Sequence, residues 1–188
     1  MSYKSPLASK TDWGIVRVGD GIAVTNGIIS TGGTPTASLN YGFFYDTTAQ
    51  TNPVADTVNT ATFNTIGSSD QVTVVGGTQI TVTNSGTYNI VFTVSLEKRQ
   101  AGTPEITSIW LRYNGVDISN SRQDIETPNQ IALLFVTGSY TQEMAAGSNI
   151  ELVWSSPDTD VQLSFLPPSA GPIRPATPSV KITLTRVS

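Results

Sequence analysis

A period of two between large apolar residues is the main structural signal in this sequence. It is clearest over residues 88–96, where every second residue from Tyr88 to Leu96 is large and apolar. A strand with this pattern buries one face and leaves the other exposed. Weaker or shorter stretches predict about ten strands in all, the others over residues 41–46, 61–66, 72–75, 79–83, 109–113, 116–118, 131–136, 150–154, 161–165 and 180–185.

Turn residues separate these stretches at short intervals. Gly76-Gly77 and Asn114-Gly115 are typical of tight hairpins, because residues at positive φ fit the turn types that hairpins use. No stretch has a helical period, and residues 142–146 predict a turn at most. Short strands at spacings of about 8–12 residues favour an all-β fold, an antiparallel jelly-roll sandwich.

The first 35 residues have a pattern of their own. Three short apolar stretches, at residues 15–18, 22–24 and 28–29, are separated by turn signals at residues 19–21 and 26–27. Strands this short do not form a stable sheet alone. They must pack either on their own domain or on neighbouring chains, and the Gly- and Pro-containing break that follows them favours neighbouring chains.

The sequence therefore predicts three parts: a short N-terminal β arm over residues 1–35, a linker over residues 36–40 and a jelly-roll domain over residues 41–188. If the arm docks by adding strands to a partner's sheet, its apolar residues carry the contact. The candidate attachment residues are Ile15, Val18, Ile22 and Ile28.

Residues 131–136 break the alternation, because they are apolar at consecutive positions. In a two-sheet sandwich only one face of each sheet is covered by the other sheet. The outer face of this strand is then covered by another subunit or, alternatively, by the Pro-rich segment 167–178. On the first interpretation the oligomer interface contains Ile131, Leu133, Leu134, Phe135 and Val136, together with Trp110.

Trp110 has two interpretations. With Ser108 and Arg112 on the same side of its strand, it is a candidate aromatic platform for a sugar. Aromatic residues are also enriched in subunit interfaces, and the sequence alone favours the interface.

Composition excludes several classes of chemistry. The chain has no His and no Cys, so it has no Ser-His-Asp triad, no Cys-His pair, no ordinary zinc site and no disulfide. Its net charge of −4 argues against nucleic acid, whose phosphates need a basic surface. The longest strongly apolar run has six residues, too few to cross a bilayer, and no signal peptide is evident. We expect a soluble, non-secreted protein without catalytic residues, cofactor or metal.

Acidic residues are the remaining candidates for chemistry. Asp158 and Asp160 are spaced so that both side chains lie on one side of the chain. A turn at the surface is favoured for them, while a calcium site, which needs 6–8 oxygen ligands, and a glycosidase pair stay open as alternatives. The charged residues 97–99 are expected to form a solvated strand end.

Three segments resemble the jelly roll shared by tumour necrosis factor and the globular head of complement. They are GTYNIVF at residues 86–92, IWLRYNG at 109–115 and AAGSNIELVW at 145–154. Ser148 and Asn149 stand where that family more often has Asp. The final strand lacks the aromatic residues of animal members, so no cytokine or complement role is implied.

Other segments are similar to jelly-roll domains of tailed-phage virion proteins. They are FYDTTAQTNP at residues 44–53, TFNT at 62–65, WSSPDTDV at 154–161 and GPIRPATPSV at 171–180, with GIVRVGDGI at 14–22 and NGIIS at 26–30 in the arm. The resemblance implies a trimeric jelly roll on a virus particle, with no catalytic residues to carry over.

The function expected from the sequence is that of a non-enzymatic virion structural protein, a homotrimeric knob assembled in the host cytoplasm. Its expected partners are its own copies and other virion proteins of the capsid, neck or tail, with neither nucleic acid nor membrane. Capsid decoration or short attachment is favoured over a long fibre. Recognition of a host-surface glycan is the alternative function, and a secreted bacterial glycan-binding or glycan-cleaving domain is the least favoured.

Overall fold

A computed structural model of the chain describes residues 22–25, 28–31 and 40–188. These residues form eighteen strands and no helix, and the predicted all-β antiparallel jelly-roll sandwich is confirmed. The strands are β1 Ile22–Thr25, β2 Ile28–Thr31, β3 Tyr41–Asp46, β4 Gln50–Thr51, β5 Asn59–Thr60, β6 Thr65–Asp70, β7 Val72–Val75, β8 Gln79–Val82, β9 Gly86–Lys98, β10 Glu105–Tyr113, β11 Val116–Asp117, β12 Gln123–Thr127, β13 Ala132–Met144, β14 Asn149–Ser155, β15 Val161–Leu163, β16 Ser169–Ala170, β17 Ile173–Arg174 and β18 Val180–Arg186. Among the described residues there is no helix that is long and apolar enough to cross a membrane.

Strands β1 and β2 pair with each other in an antiparallel hairpin, in which Ile22 lies opposite Thr31 and Thr25 lies opposite Ile28. Two of the three strands expected in the arm are therefore present. The expected strand over residues 15–18 lies outside the described residues. The hairpin belongs to a compact unit separate from that of residues 39–188.

The domain consists of two antiparallel sheets, which we name after their central strands. The β9 sheet has the order β13-β9-β18-β3-β6, with β15 and β4 continuing beside the end of β9. The β10 sheet has the order β12-β10-β14-β8-β7, with β11 and β5 paired at the ends of β10 and β14. In the β9 sheet most neighbouring strands are distant in sequence, and in the β10 sheet β14 pairs with the distant strands β10, β8 and β5, which is the crossover connectivity of a jelly roll.

The hydrophobic core lies between the two sheets and follows the alternation seen in the sequence. On β9 the inward side chains are Tyr88, Ile90, Phe92, Val94 and Leu96; those of β10 and β14 include Ile109, Leu111, Ile150, Leu152 and Trp154, all buried. Burial of each large apolar side chain contributes about 1.5–3 kcal/mol to the free energy of unfolding. The inward side chains of β9, β10 and β14 together therefore supply most of the hydrophobic stabilisation of the domain.

A buried polar network fixes the loops at the start of the domain. The Asp46 carboxylate is 1% exposed and accepts hydrogen bonds from the Thr48 amide and hydroxyl, the Thr62 hydroxyl and the Asn64 side-chain amide. Four donors satisfy the carboxylate, which would otherwise be costly to bury. The network joins residues 44–53 to residues 62–65, two segments that are separate in the sequence.

Several strands differ from the sequence prediction. The strand expected over residues 131–136 extends to Met144 and includes most of the turn expected at 142–146. The strand expected over residues 61–66 is absent as such, because β5 and β6 lie on either side of residues 61–64. Strand β12 was not predicted. The hairpin turn at Asn114-Gly115 is confirmed, with φ of 47° and 79°.

Gly138 on β13 is required by the packing of the core. It lies opposite Phe92, whose ring occupies the space that a side chain at this position would need, and a Cβ would also lie 2.6 Å from Nε2 of Gln123. The ring of Phe92 is itself buried at 2% exposure. It therefore has little freedom to move away.

We expect Gly138→Ala to lower the free energy of unfolding by about 2 kcal/mol, because overpacking a well-packed core typically costs 1–3 kcal/mol. Urea denaturation monitored by circular dichroism measures the change. Thr141→Ala, at an exposed position on the same strand, is the control and should stay within about 0.5 kcal/mol. Equal losses in the two variants would contradict the packing argument.

Candidate functional site

The residues predicted for an oligomer interface do not lie together. Leu133 and Phe135 point away from the core on the outer side of the β9 sheet, with 37% and 58% of their surface exposed, and Ile131 just before β13 is 66% exposed. Trp110 lies on the other sheet, in β10. The predicted set is thus divided between two opposite sides of the sandwich.

Leu134 and Val136 alternate with the exposed residues and point inward. Val136 is 8% exposed and belongs to the core, and Leu134 packs against the core. The prediction that Leu134 and Val136 are interface residues is wrong. The consecutive apolar run supplies both faces of one strand, and these two side chains lie on its inner face. Segment 167–178 contains the small β16–β17 hairpin. The carbonyl of its last residue, Pro178, accepts a hydrogen bond from the buried Ser95 hydroxyl at 3.0 Å, but the segment leaves Phe135 exposed, so it covers only part of the outer face.

Further aromatic residues lie on the same outer face. Phe43 and Tyr45 alternate on β3 with buried residues, and their ring centroids lie 5.5 Å apart. Between β3 and β13, Val91 of β9 and Thr183 of β18 lie in register with Phe43. The exposed Lys181 and the half-buried Thr93 lie in register with Tyr45, so polar residues separate the two aromatic residues of β3 from Leu133 and Phe135. We call the residues Phe43, Tyr45, Val91, Leu133 and Phe135 the apolar face.

Strand β13 also forms the edge of its sheet. All thirteen of its residues pair with β9, and within residues 40–188 no strand pairs with its other side. A long edge strand beside exposed apolar side chains invites pairing or packing with another chain. The apolar face and this edge are therefore adjacent contact surfaces.

A cavity of about 330 Å³ opens on the outer side of the β10 sheet. It is lined by Val58, Ser108, Trp110, Asp117, Ile118, Arg122 and Ser155. Strand alternation brings Ser108 and Trp110 to the same side of β10, and cross-strand register places Ser155 of β14 directly opposite Ser108. The hairpin turn at residues 114–115 returns the chain so that Asp117 and Ile118 complete the wall.

Hydrogen bonds and ion pairs hold the polar lining of this cavity. Nε of Arg112 donates to Oδ1 of Asp117 at 2.9 Å. A hydrogen bond from the Trp110 side chain, followed by that from Arg112, lowers the pKa of Asp117 below its ordinary value. Arg122 pairs with Asp124 at 3.0 Å, and Asp124 accepts the Ser108 hydroxyl hydrogen bond at 2.6 Å. Asp117 is therefore an ionised acceptor at neutral pH.

The prediction that residues 97–99 form a solvated strand end is wrong for Lys98, while Arg99 is exposed. Lys98 is 2% exposed. Its ammonium lies 2.9 Å from Oδ2 of Asp158 and donates to the Thr103 carbonyl at 2.6 Å. The sequence carried a signal for this, because Lys98 continues the inward series of every second residue that begins at Tyr88.

Asp158 is accordingly committed to an ion pair. Burial raises its pKa, but hydrogen bonds from the Lys98 side chain and the Asp160 amide, together with the charges of Lys98 and Arg99, outweigh burial and hold the pKa below its ordinary value. The Lys98 ammonium takes the position in which a cation bound to Asp158 would lie. Among the described residues, no three acidic side chains cluster closely enough to hold a metal ion.

Of the predicted attachment residues, Ile22 and Ile28 are the first residues of β1 and β2. Ile15 and Val18 lie outside the described residues. No protein-family model and no curated protein matches the chain.

We expect Asp158→Asn to lower the free energy of unfolding at pH 7 by about 3 kcal/mol, because it leaves a buried ammonium without its counter-charge. The folded-state pKa of Asp158 lies below the unfolded-state value of about 3.9, so the stabilisation is complete above that pH. It disappears as the pH falls through the lower, folded-state value. Denaturant titrations of wild type and variant between pH 7 and pH 2 should therefore converge at the acidic end.

Asp160→Asn is the matched control. Asp160 is the other acid of the same turn, but its pair with Arg99 is longer, at 3.6 Å, and more exposed. Its loss should cost less than about 1 kcal/mol. A difference between wild type and Asp158→Asn that does not change with pH would contradict the assigned role of the carboxylate.

Proposed function

We propose that this chain is a non-enzymatic structural protein of a tailed-bacteriophage virion. In this proposal the jelly-roll domain forms a homotrimeric knob, and the N-terminal arm attaches it to other virion proteins of the capsid, neck or tail. The observation that carries the proposal is the apolar face of the β9 sheet beside the unpaired edge of β13.

The position of these two surfaces favours a closed ring of copies. A face and an edge of one sheet are different surfaces, so a contact between the face of one copy and the edge of the next is heterologous. Heterologous contacts close into a ring when the rotation between copies allows it. The resemblance to trimeric jelly rolls supports three copies per ring.

The virion assignment rests on the segments that resemble phage jelly-roll proteins. Two of them, residues 44–53 and 62–65, come together around the buried carboxylate of Asp46. Their resemblance therefore concerns one structural unit, the loops at the start of the domain. Strands β1 and β2 overlap the two arm segments with this resemblance, residues 14–22 and 26–30, at Ile22 and at residues 28–30.

Recognition of a host-surface glycan is a second candidate function, and a different observation favours it, the Trp110 cavity. Because that cavity lies on the β10 sheet, it does not compete with the apolar face for the same contacts. The two functions are compatible in one protein.

The oligomer prediction is tested with the double variant Leu133→Lys/Phe135→Asp. Both side chains are exposed in the single chain, so the variant should fold, while the buried charges should break the interface. We expect mass photometry to show a trimer for the wild type and monomers for the variant, with unchanged circular dichroism.

Val116→Asp is the control for this experiment. Val116 is an apolar residue that is 70% exposed, but it lies in β11 of the other sheet, and the variant should remain a trimer. A stable monomeric wild type would reject the proposed assembly.

The attachment prediction concerns residues 1–35. Deleting them should leave the domain folded, because every residue of the described core cluster lies beyond position 40. The truncated protein should be absent from purified particles when it replaces the full chain during phage assembly. Ile22→Asp in the full chain should reduce incorporation in the same direction. A truncated protein that fails to fold, or one that is incorporated normally, would contradict the role of the arm.

A further inference from the structure

The Trp110 cavity combines the two kinds of group that bind sugars. Trp110 offers a large apolar ring with an electron-rich face, which suits the C–H groups on one side of a sugar ring. Asp117 offers a carboxylate, and Ser108 and Ser155 offer hydroxyls, for the hydroxyl groups at the ring's edge. A volume of about 330 Å³ is at the lower end of small-molecule pockets, which fits a single ring rather than a long chain.

The charges around the cavity define which sugars it accepts. Each arginine near the cavity is paired with an acid, Arg112 with Asp117 and Arg122 with Asp124. Glu151 on β14 lies in register with Arg112 on the adjacent strand and adds a further negative charge. The surroundings are therefore neutral to negative, and among the described residues near the cavity an acidic sugar would meet arginines that are already paired with acids.

The lining is held in place before any ligand arrives. Ser108 and Trp110 project from the middle of a nine-residue strand; Ser108 is paired on both sides, and Trp110 is paired with Val153 of β14. Asp117 is fixed by Arg112, and the Ser108 hydroxyl is fixed by Asp124. Because these side chains are already ordered, binding costs less conformational entropy than it would on a flexible surface.

From these observations we propose that the Trp110 cavity binds one ring of a neutral saccharide, with Trp110 as the stacking platform and Asp117 as the main hydroxyl acceptor. The site is complete within one chain. The proposal rests on the second candidate function, glycan recognition, and specifies its ligand, while it does not depend on the structural function, since the cavity and the apolar face lie on different sheets.

The test uses the full chain and the methyl glycosides of glucose, galactose, mannose and N-acetylglucosamine, with methyl glucuronide as the acidic comparison. A ring of about twelve heavy atoms at about −0.3 kcal/mol each binds with a Kd in the millimolar range. Saturation-transfer NMR detects such binding. We expect transfer to at least one neutral glycoside and at least fivefold weaker binding of the glucuronide.

Variants locate the binding in the cavity. Trp110→Ala should weaken binding at least tenfold and Trp110→Phe should weaken it less, while Val116→Ala, close in sequence but outside the lining, should leave it unchanged. Asp117→Asn is an independent test, because its exposed side chain is not needed for folding, and it should weaken binding at least threefold.

Three results would overturn the proposal. One is the absence of transfer to all four neutral glycosides at concentrations up to about 20 mM, well above the Kd expected for one ring. Another is neutral-sugar binding that is unchanged in both Trp110→Ala and Asp117→Asn, which would place the sugar elsewhere on the protein. The third is preferential binding of the glucuronide. None of these results bears on the trimer, whose test is the oligomeric state of Leu133→Lys/Phe135→Asp.

Discussion

The burial of one side of β9 is the constraint on which the rest of the domain depends. This thirteen-residue strand pairs along its whole length with β13 and on its other side with β18 and β15. Because strand side chains alternate, a slip of one residue would expose the entire inward row from Tyr88 to Leu96. The register of three neighbouring strands is therefore fixed by one row of apolar side chains. The close fit of Gly138 over Phe92 is a consequence of that register.

The same alternation explains why a lysine is buried at the end of β9. The inward row continues to Lys98, and the strand cannot turn this residue outward without also turning the apolar residues before it. A buried ammonium needs a counter-charge and hydrogen-bond acceptors. Asp158 and the Thr103 carbonyl supply them, and the two loops that carry these groups are thereby held against the end of the sandwich. An acid that looks like a candidate ligand in the sequence thus has a structural role.

The sequence predicts the strands in which buried apolar residues clearly alternate with exposed residues. It does not predict strands that form mainly because their backbone pairs with a neighbouring strand. Strand β12, with the sequence QDIET, has a single apolar residue, Ile125, which packs against the core, and its extended conformation follows mainly from backbone pairing with β10. The second half of β13 places Tyr140 and Met144 on the inner face, but Gly138 and Gln142 stand at the other inward positions, so its alternation is weak in the sequence. The run at residues 131–136 suggested one contact surface, whereas an edge strand uses its apolar residues on both sides.

For the cavity, the Asn114-Gly115 turn indicates that Asp117 returns beside Arg112. Nothing in the sequence, however, indicates that Val58 and Arg122 reach the same place from distant loops.

The two outer faces of the sandwich differ in chemistry, and this difference follows from the strands that form them. The β9 sheet exposes aromatic and aliphatic side chains separated by threonines and by Lys181, and apart from this lysine they can be desolvated at low cost against another protein. The β10 sheet exposes a tryptophan among paired charges, which are costly to bury in a subunit contact unless every partner is kept. A protein surface is therefore better suited to the first face and a small polar ligand to the second. Period-two alternation makes this division possible, because on β10 the residues that line the cavity alternate with Ile109 and Leu111 of the core, so recognition and stability use different residues of one strand.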